Sequence, residues 1–402
     1  ATGLSHRAIS INNTSGVGYT INSNTIGGSN NTNSGSAYGI VFPTTTTSSF
    51  IPIFLNVGTA SATICSFNTI RNLAVSGGAS GTSTSSPFRL FYIASGLATT
   101  NNNAVGDLSI FGSITYASSS TALSEVYGMY NFSSSSWISN NNSFGSISGN
   151  NSSTGAVGIY VMRCNTAVAS TWTCENNTIG SSDPATGGGI NANSTTAATF
   201  VNGITNTLST ASIKGNTIRK LYANGGTGSA ATASVIGISV TGTGSAHTVS
   251  QNFISHLYNN NNAGAAVHVT GIYFTGNSGA NLVERNYTAG FFVISANFAS
   301  QVNGIRIAGG TTTYRNNLIA LGVDVTRSVN IYGINESAGS NSFYHNSIHI
   351  GGFANSGNGN TAAFLSTVTT NTRSIRNNIF SVERFNVLTA TGNHYVIVVS
   401  AP

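Results

Sequence analysis

Charge is scarce in this sequence: Asp, Glu, Lys and Arg make up 5% of its 402 residues, against about a quarter in an average soluble domain. The 14 basic and 8 acidic residues give a net charge of +6, but they include no run of Lys or Arg. No aromatic motif of the kind that stacks on bases accompanies them. We therefore expect no nucleic-acid partner.

Cysteine is also rare, with three residues in the whole chain. Three cysteines are too few for a disulfide framework, and their spacing matches no zinc motif, so we expect no metal and no other cofactor. The sequence leaves open whether Cys164 and Cys174 form a disulfide or remain buried thiols. No stretch of about 18 apolar residues occurs, so we expect no membrane span.

Runs of Ala, Glu, Lys and Leu, from which helices are usually built, are absent, whereas Gly, Ser, Thr and Asn are abundant. Ser, Thr and Asn compete with the helix backbone for hydrogen bonds, and Gly adds an entropic cost, so strands and turns must dominate. Hydrophobic residues still reach 40% and cluster as Val, Ile and Phe runs. This apolar content argues against a disordered chain.

The sequence does contain one repeated motif, the theme, which occurs three times between residues 235 and 321. Each copy opens with an apolar run around a glycine, crosses a small polar turn and closes on an asparagine. The three glycines, Gly237, Gly271 and Gly304, are 34 and 33 residues apart. Such self-similarity at a period of 20 to 50 residues is typical of repeat architectures.

The closing asparagine recurs along the whole chain at steps of 30 to 44 residues, and an apolar residue follows two positions later in ten of eleven copies. The side-chain amide of asparagine both donates and accepts, so stacked copies are expected to hydrogen-bond one another. The predicted ladder consists of Asn24, Asn68, Asn103, Asn142, Asn177, Asn216, Asn252, Asn286, Asn316, Asn346 and Asn377.

The variable step excludes helical repeats, whose helix pairs hold a tight period, and favours loops that bulge from regular coils. Crossovers between parallel strands are overwhelmingly right-handed. The sequence therefore predicts an all-β, right-handed parallel β-helix (β-solenoid) of about eleven coils with variable loops. We expect residues 1–402 to form a single solenoid domain, because a repeat array shares one continuous core.

Three segments carry a resemblance: GIRIAGGTTTYRNNLI (304–319), GINESAGSNSFYHNSIHIGG (333–352) and TVTTNTRSIRNNIFSV (367–382). They resemble repeat regions of large secreted surface proteins of gliding bacteria that use type IX secretion, which are right-handed parallel β-helix proteins of adhesin or filament type. The resemblance is clearest over residues 201–397. It implies an extracellular or cell-surface location and a structural role without catalysis.

Parallel β-helices also carry polysaccharide lyases and glycoside hydrolases, so an enzyme is the main alternative. Glycoside cleavage needs two carboxyl groups about 5 to 10 Å apart, and calcium-assisted lyases need several acidic oxygens around one ion. Glu175 and Glu284 precede ladder asparagines, but three coils separate them, about 14 Å at the spacing of parallel strands. His345 and His349 have no acidic neighbour that would favour a metal site. We therefore predict no catalytic residue and no enzyme.

Threonines suggest a second alternative, an ice-binding solenoid. Thr207, Thr241 and Thr275 occupy matching places in three coils, and further threonines cluster at 44–47 and 311–313. Ice binding requires a flat and regular threonine array, and this array is interrupted at Ala308. Threonine is also common in strands for reasons of packing alone.

Basic residues precede the predicted ladder asparagine in four successive coils: Arg285, Arg315, His345 and Arg376. Neighbouring coils would place them about 5 Å apart, where like charges repel each other unless water, counter-ions or an anionic ligand intervene. One interpretation is a solvated edge that discourages aggregation. The other is a binding site for an anionic glycan.

The function that we expect from these features is a rigid extracellular scaffold, either an adhesin stalk or a surface filament subunit. Neither end of the sequence contains an obvious polar cap, so end-to-end association with itself or with flanking domains of a longer chain is expected. The apolar segment 395–399 is the candidate strand for such β-augmentation. Surface polysaccharide is the other expected partner.

Overall fold

The computed structural model describes residues 4–28, 35–43, 47–165, 170–181, 187–194, 197–224, 234–244, 246–260, 265–276, 279–295, 297–327, 329–370 and 372–400. Within these ranges the chain consists of short strands, one 3₁₀ turn at Ser83–Ser85 and no α-helix. The scarcity of helix-forming runs and the abundance of β-branched residues account for this.

The first third of the chain contributes β1 (Ser5–Asn13), β2 (Thr20–Asn22), β3 (Thr25–Ile26), β4 (Tyr38–Phe42), β5 (Ser49–Val57), β6 (Thr63–Ser66), β7 (Thr69–Ile70), β8 (Leu73–Gly77), β9 (Phe88–Ser95), β10 (Ala98–Asn101), β11 (Ala104–Gly106), β12 (Ile114–Ser118), β13 (Ser124–Asn131) and β14 (Trp137–Asn140). The middle third contributes β15 (Ser143–Gly145), β16 (Ile147–Asn151), β17 (Val157–Cys164), β18 (Thr171–Glu175), β19 (Thr178–Ile179), β20 (Ile190–Ser194), β21 (Thr199–Asn206), β22 (Thr210–Lys214), β23 (Thr217–Asn224), β24 (Val235–Val240), β25 (Thr248–Ser250), β26 (Phe253–Asn259), β27 (His268–Phe274) and β28 (Asn281–Glu284). The last third contributes β29 (Tyr287–Val293), β30 (Gln301–Ala308), β31 (Thr312–Arg315), β32 (Leu318–Leu321), β33 (Asn330–Ala338), β34 (Ser342–Tyr344), β35 (Ser347–Ile350), β36 (Phe353–Gly357), β37 (Thr361–Ser366), β38 (Ser374–Arg376), β39 (Ile379–Val382), β40 (Phe385–Ala390) and β41 (His394–Val399).

These strands form three long parallel sheets. Sheet A has 12 strands in the order β1-β5-β9-β13-β17-β21-β24-β27-β30-β33-β37-β41, and sheet B has 11 in the order β2-β6-β10-β14-β18-β22-β25-β28-β31-β34-β38. Sheet C has 16 strands, because its first coils use two short strands where later coils use one long strand such as β23, and β36 pairs with β40 beside it. The chain visits sheets A, B and C in turn, and the fold is the predicted right-handed parallel β-helix.

Apolar side chains from all three sheets fill the interior as one continuous core that extends from Ile21 to Phe364. Trp137 and Trp172 occupy neighbouring coils of this core, with ring centroids 5.0 Å apart and planes inclined by 2°. Each coil thus buries its apolar face against the coils before and after it, which is how a repeat array gains stability.

Asparagine side chains line one corner of the interior as a hydrogen-bonded ladder. Asn252 shows the pattern: its Nδ2 donates to Oδ1 of Asn286 at 2.9 Å and to the carbonyl of Ile213 at 3.0 Å. Its backbone N–H donates to the same Oδ1 at 3.1 Å. The ladder asparagines in the structure are Asn24, Asn68, Asn103, Asn142, Asn177, Asn216, Asn252, Asn286, Asn317, Asn346 and Asn378.

The predictions of Asn316 and Asn377 as ladder residues were wrong by one position. Both lie at the exposed turn before the ladder, with φ of 54° and 55°, a left-handed conformation that asparagine adopts more readily than most residues. In the coil before that of Asn316, Arg285 occupies the equivalent turn, also with φ of 55°. In each Asn-Asn pair it is the second asparagine that enters the interior.

A one-residue shift in a strand exchanges its two faces. Leu318 and Ile379, which the predicted register would place inside, are therefore 47% and 69% exposed. Ile319 is buried in their place, and Phe380 packs against the core.

The repeated glycine of the theme interrupts the alternation of sheet A. Ile238 belongs to the core, and a Cβ on the preceding Gly237 would also contact a core side chain, so both consecutive residues face the interior. The two residues that flank this inward-facing pair are three apart in sequence, and both consequently lie on the outer face. Tyr127 and Tyr130, which flank Gly128, accordingly stack with ring centroids 4.5 Å apart.

Candidate ligand-binding surfaces

The four predicted basic residues lie exposed along the edge where sheet B meets the ladder, but they do not form one column. Arg285 and His345 occupy the left-handed turn, each with φ of 55°. Arg315 and Arg376 end the preceding strands β31 and β38. The prediction of four equivalent positions was wrong, because the ladder register at the two Asn-Asn pairs is one residue later than expected.

This register changes the electrostatics of the basic edge, which we define as Arg285, Arg315, His345 and Arg376. Arg315 is paired across the sheet with Glu284, and its Nε donates to Oε2 of that carboxylate at 2.7 Å. Tyr344 separates Arg315 from Arg376 in the same column. The repulsion expected between adjacent cations is therefore reduced, and one of the four charges is already neutralised.

Several carboxylates have cationic or hydrogen-bonding partners. Asp107 lies 3.4 Å from Nη1 of Arg71. Glu336 is completely buried, accepts hydrogen bonds from Asn341 at 2.8 Å and Ser366 at 2.6 Å, and lies 3.4 Å from Nε of Arg373. No group of three or more His, Cys, Asp or Glu that would hold a metal ion occurs within the described residues.

The three threonines that suggested ice binding do occupy one turn after sheet A. The backbone N–H groups of Thr207, Thr241 and Thr275 each donate to a carbonyl of the preceding coil, at 2.9 to 3.0 Å. The hydroxyls of Thr207 and Thr241 also bond to these carbonyls, at 3.2 and 3.4 Å. They therefore contribute to coil stacking. Residues 44–46 of the first threonine cluster lie outside the described residues.

The cysteines are buried free thiols, so Cys164 and Cys174 do not pair. Burial raises the pKa of the Cys65 thiol to about 12 and raises that of Cys174 further. Thiolates would be negligible near neutral pH, which excludes the reactivity of activated cysteines.

A cluster of tyrosines and arginines covers the outer face of sheet A, and the sequence analysis did not identify it. Arg89 lies over the ring of Tyr92 at 4.5 Å, and Arg163 lies over Tyr160 at the same distance. Each pair consists of residues i and i+3 on either side of the glycine position. The sequence does place Arg or Tyr at these positions i and i+3. That they share the outer face becomes evident only when the two residues between them are known to face the interior.

The turn Ser83–Ser85 folds over the first half of this face. The hydroxyl of Tyr127 donates to Glu125 and accepts from the backbone N–H of Ser83 at 3.1 Å and from Nη1 of Arg163 at 2.8 Å. The hydroxyl of Tyr130 lies 2.7 Å from Oγ of Ser83. Burial, followed by the Glu125 charge, raises the pKa of Tyr127 strongly. This part of the face is therefore filled by the protein's own chain.

No helix among the described residues is both long and apolar enough to cross a membrane. Comparison of the chain with models of protein families, with curated protein sequences and with solved structures finds no match.

Proposed function

We propose that this protein is a rigid extracellular scaffold, either the stalk of an adhesin or the subunit of a surface filament, and that it does not act as an enzyme. The observation that carries the proposal is the unbroken asparagine ladder from Asn24 to Asn378. Its ten steps each join one coil to the next through a hydrogen bond between asparagine side chains. Parallel strands about 4.8 Å apart make such an array roughly 50 Å long.

Rigidity follows from the way in which each coil is held. For example, Nδ2 of Asn286 donates to the carbonyl of Val249 in the preceding coil at 2.9 Å. It also donates to Oδ1 of Asn317 in the following coil at 3.0 Å. Bending the solenoid would stretch these bonds inside a dry core, where an unsatisfied polar group costs about 1 to 3 kcal/mol. A stiff spacer is the role that such a structure supports best.

End-to-end contact is the second part of the proposal. Sheet A ends at β41, where Val396, Ile397 and Val399 are 45%, 49% and 45% exposed. An exposed apolar strand edge is a template for another strand. A second copy of this chain, or a flanking part of a longer chain, would cover it.

The basic edge supports a third part, a contact with anionic surface polysaccharide. Arg285, His345 and Arg376 are exposed. Arg315 is ion-paired with Glu284, and it must break this pair or bind the ligand together with Glu284. We therefore expect a weak, salt-dependent contact there, in which Arg376 and Arg285 dominate.

Electron microscopy of the purified chain tests the scaffold role. We expect rods of uniform length, and we expect end-to-end filaments that are lost in the variant Ile397→Lys but retained in Val323→Lys, which alters an exposed apolar side chain away from β41. Flexible or globular particles would contradict the rigid-rod proposal. Turnover of pectin, alginate or another polyuronate by the purified chain would replace it with the enzyme alternative.

A further inference from the structure

Arg306, in the second half of the outer face of sheet A, forms no ion pair with any residue that the structure describes. Arg306 in β30 is partly buried, and its Nη1 donates to Oε1 of Gln301 at 3.3 Å, across the glycine position of the same strand. The three ion pairs among the described residues do not include it. Its Nε is buried and has no hydrogen-bond partner among those residues.

A histidine and aromatic rings surround Arg306. Strand register places Tyr273 and Asn335 beside Arg306, and His268 beside Gln301. Burial lowers the pKa of Arg306 despite the nearby Tyr273 and Tyr332 hydroxyls, and burial followed by the Arg306 charge lowers the pKa of His268 to about 4. The surroundings of Arg306 and His268 disfavour the charged forms of both side chains. A bound anion would stabilise those charged forms.

The nearest carboxylate on this face is remote. Among the described residues that face outward from sheet A, Glu125 is the one acid, and it lies on β13, five strands from β30, or about 24 Å. Glu125 is itself engaged by Tyr127 and the Ser83 turn. A desolvated guanidinium normally has a paired anion, because burying an uncompensated charge is costly.

Buried polar atoms without a hydrogen-bond partner among the described residues lie on the same outer face, at and beyond Arg306. Thr205 and Thr270 have unpartnered hydroxyl oxygens, and Asn303 has an unpartnered Nδ2, among the described residues; these three side chains are 5%, 0% and 0% exposed. The outward column through Arg306 continues as Tyr273, Ser239 and Thr205 to Arg163, four strands away, or about 19 Å. Two arginines are thus separated by a polar, uncharged strip along the rod.

We propose that Arg306, with Tyr273, Tyr332 and His268, forms a binding site for the carboxylate or sulfate group of an acidic saccharide that lies along sheet A toward Arg163. A planar guanidinium binds oxyanions through two parallel hydrogen bonds, and aromatic rings with a few placed polar groups are the usual lining of small-molecule sites. This site is separate from the basic edge. It does not rest on the scaffold role, since a chain that forms no filaments would still bind.

Isothermal titration calorimetry on the full chain tests the site with four probes: a hexamer of galacturonate, a sulfated hexasaccharide, neutral cellohexaose and sodium sulfate. We expect one of the two acidic hexamers to bind, and Arg306→Gln to weaken its binding at least tenfold. Arg306→Lys should retain part of the affinity, because it keeps the charge and loses the planar fork. Lys214→Gln, which removes an exposed cation that belongs neither to this site nor to the basic edge, should change the affinity less than twofold.

The identity of the acidic hexamer that binds distinguishes a carboxylate source from a sulfate source, and either result supports the site. Equal losses in Arg306→Gln and Lys214→Gln, or no binding of either acidic hexamer, overturn the proposal. Equal affinity for sodium sulfate and for the hexamers overturns the saccharide assignment.

A spectroscopic readout keeps the test valid if Arg306→Gln folds poorly. The imidazole signal of His268 in the wild-type chain, followed by NMR during a pH titration, should move toward the ordinary pKa of about 6.5 when the acidic hexamer is added. The charged groups that face His268 here are Arg306 and the added anion. An unchanged His268 titration in the presence of saturating hexamer contradicts the site.

Discussion

Gly237 and Ile254 face each other across the interior of one coil, so closely that glycine is required. A Cβ on Gly237 would stand 2.6 Å from Cγ2 of Ile254 and 2.7 Å from the carbonyl oxygen of Gly271 in the next coil. The same contact recurs between Gly304 and Ile319, again at 2.6 Å. The glycine and the apolar residue two places after the ladder asparagine, which are the two marks of the repeat, are thus packing partners.

The first prediction concerns this contact. Gly237→Ala should lower the free energy of unfolding by about 1 to 3 kcal/mol, because the methyl group overpacks the core and one of its neighbours is backbone that cannot rotate away. Gly279→Ala is the matched control, since nothing lies within 4 Å of a Cβ at that position. Urea unfolding of both variants measures the difference. Equal stability of the two variants would show that the interior of the coil accommodates an additional methyl group at residue 237.

The second prediction tests the ladder register with two adjacent residues. Asn317→Ala removes the acceptor for Nδ2 and the backbone N–H of Asn286, so it should cost about 1 to 3 kcal/mol or more. Asn316→Gly should change the stability by less than about 0.5 kcal/mol, because residue 316 is exposed and glycine adopts its left-handed conformation freely. Thermal unfolding of the two variants distinguishes them. The opposite order of stabilities would restore the register predicted from the sequence.

The third prediction concerns a buried ion pair. Arg373→Ala leaves the completely buried Glu336 without its cation and should cost about 3 to 5 kcal/mol. Arg315→Ala breaks the pair with Glu284, in which the arginine side chain is 46% exposed, and should cost about 0 to 1 kcal/mol. Both are measured by urea unfolding at pH 7. Similar losses in the two variants would mean that burial does not determine the strength of these pairs.

The fourth prediction is a loss of stability in mild acid. His247 is fully buried: its Nδ1 accepts from the N–H of Ala211 at 3.1 Å, and Nε2 donates to the carbonyl of Gly242 at 3.1 Å, so the ring is neutral in the folded state. Burial lowers the pKa of His247 and, with Arg306, lowers that of His268 to about 4. Below the unfolded pKa of about 6.5 the unfolded chain takes up protons that the folded chain does not, so stability falls as the pH is lowered.

Urea unfolding between pH 7.5 and pH 4 measures this loss. For His268 it should begin near pH 6.5 and be complete near pH 4, and the variant His268→Gln should show a shallower decline than the wild type. A decline of unchanged slope in that variant would exclude His268 as a contributor.

The amino-acid sequence alone determined the architecture, because coil periodicity, the glycine and the asparagine are local marks that any solenoid of this kind must repeat. Nine of the eleven predicted ladder positions, from Asn24 to Asn286 and Asn346, were identified in this way. The signal was sufficient because a chain of Ser, Thr, Asn and β-branched residues has few ways to bury its apolar side chains other than by stacking strands.

Only the tertiary structure decided the register of the two Asn-Asn pairs and the composition of the outer surfaces. Asn316 and Asn317 satisfy the same local pattern, and what separates them is the hydrogen bond that Asn317 makes to Asn346, 29 residues away. The outer cluster around Arg306 depends on two consecutive inward residues at each glycine, and local alternation predicts the opposite face. Contacts between coils join residues that are about 30 or more apart in sequence, so they become evident only when the coils are stacked.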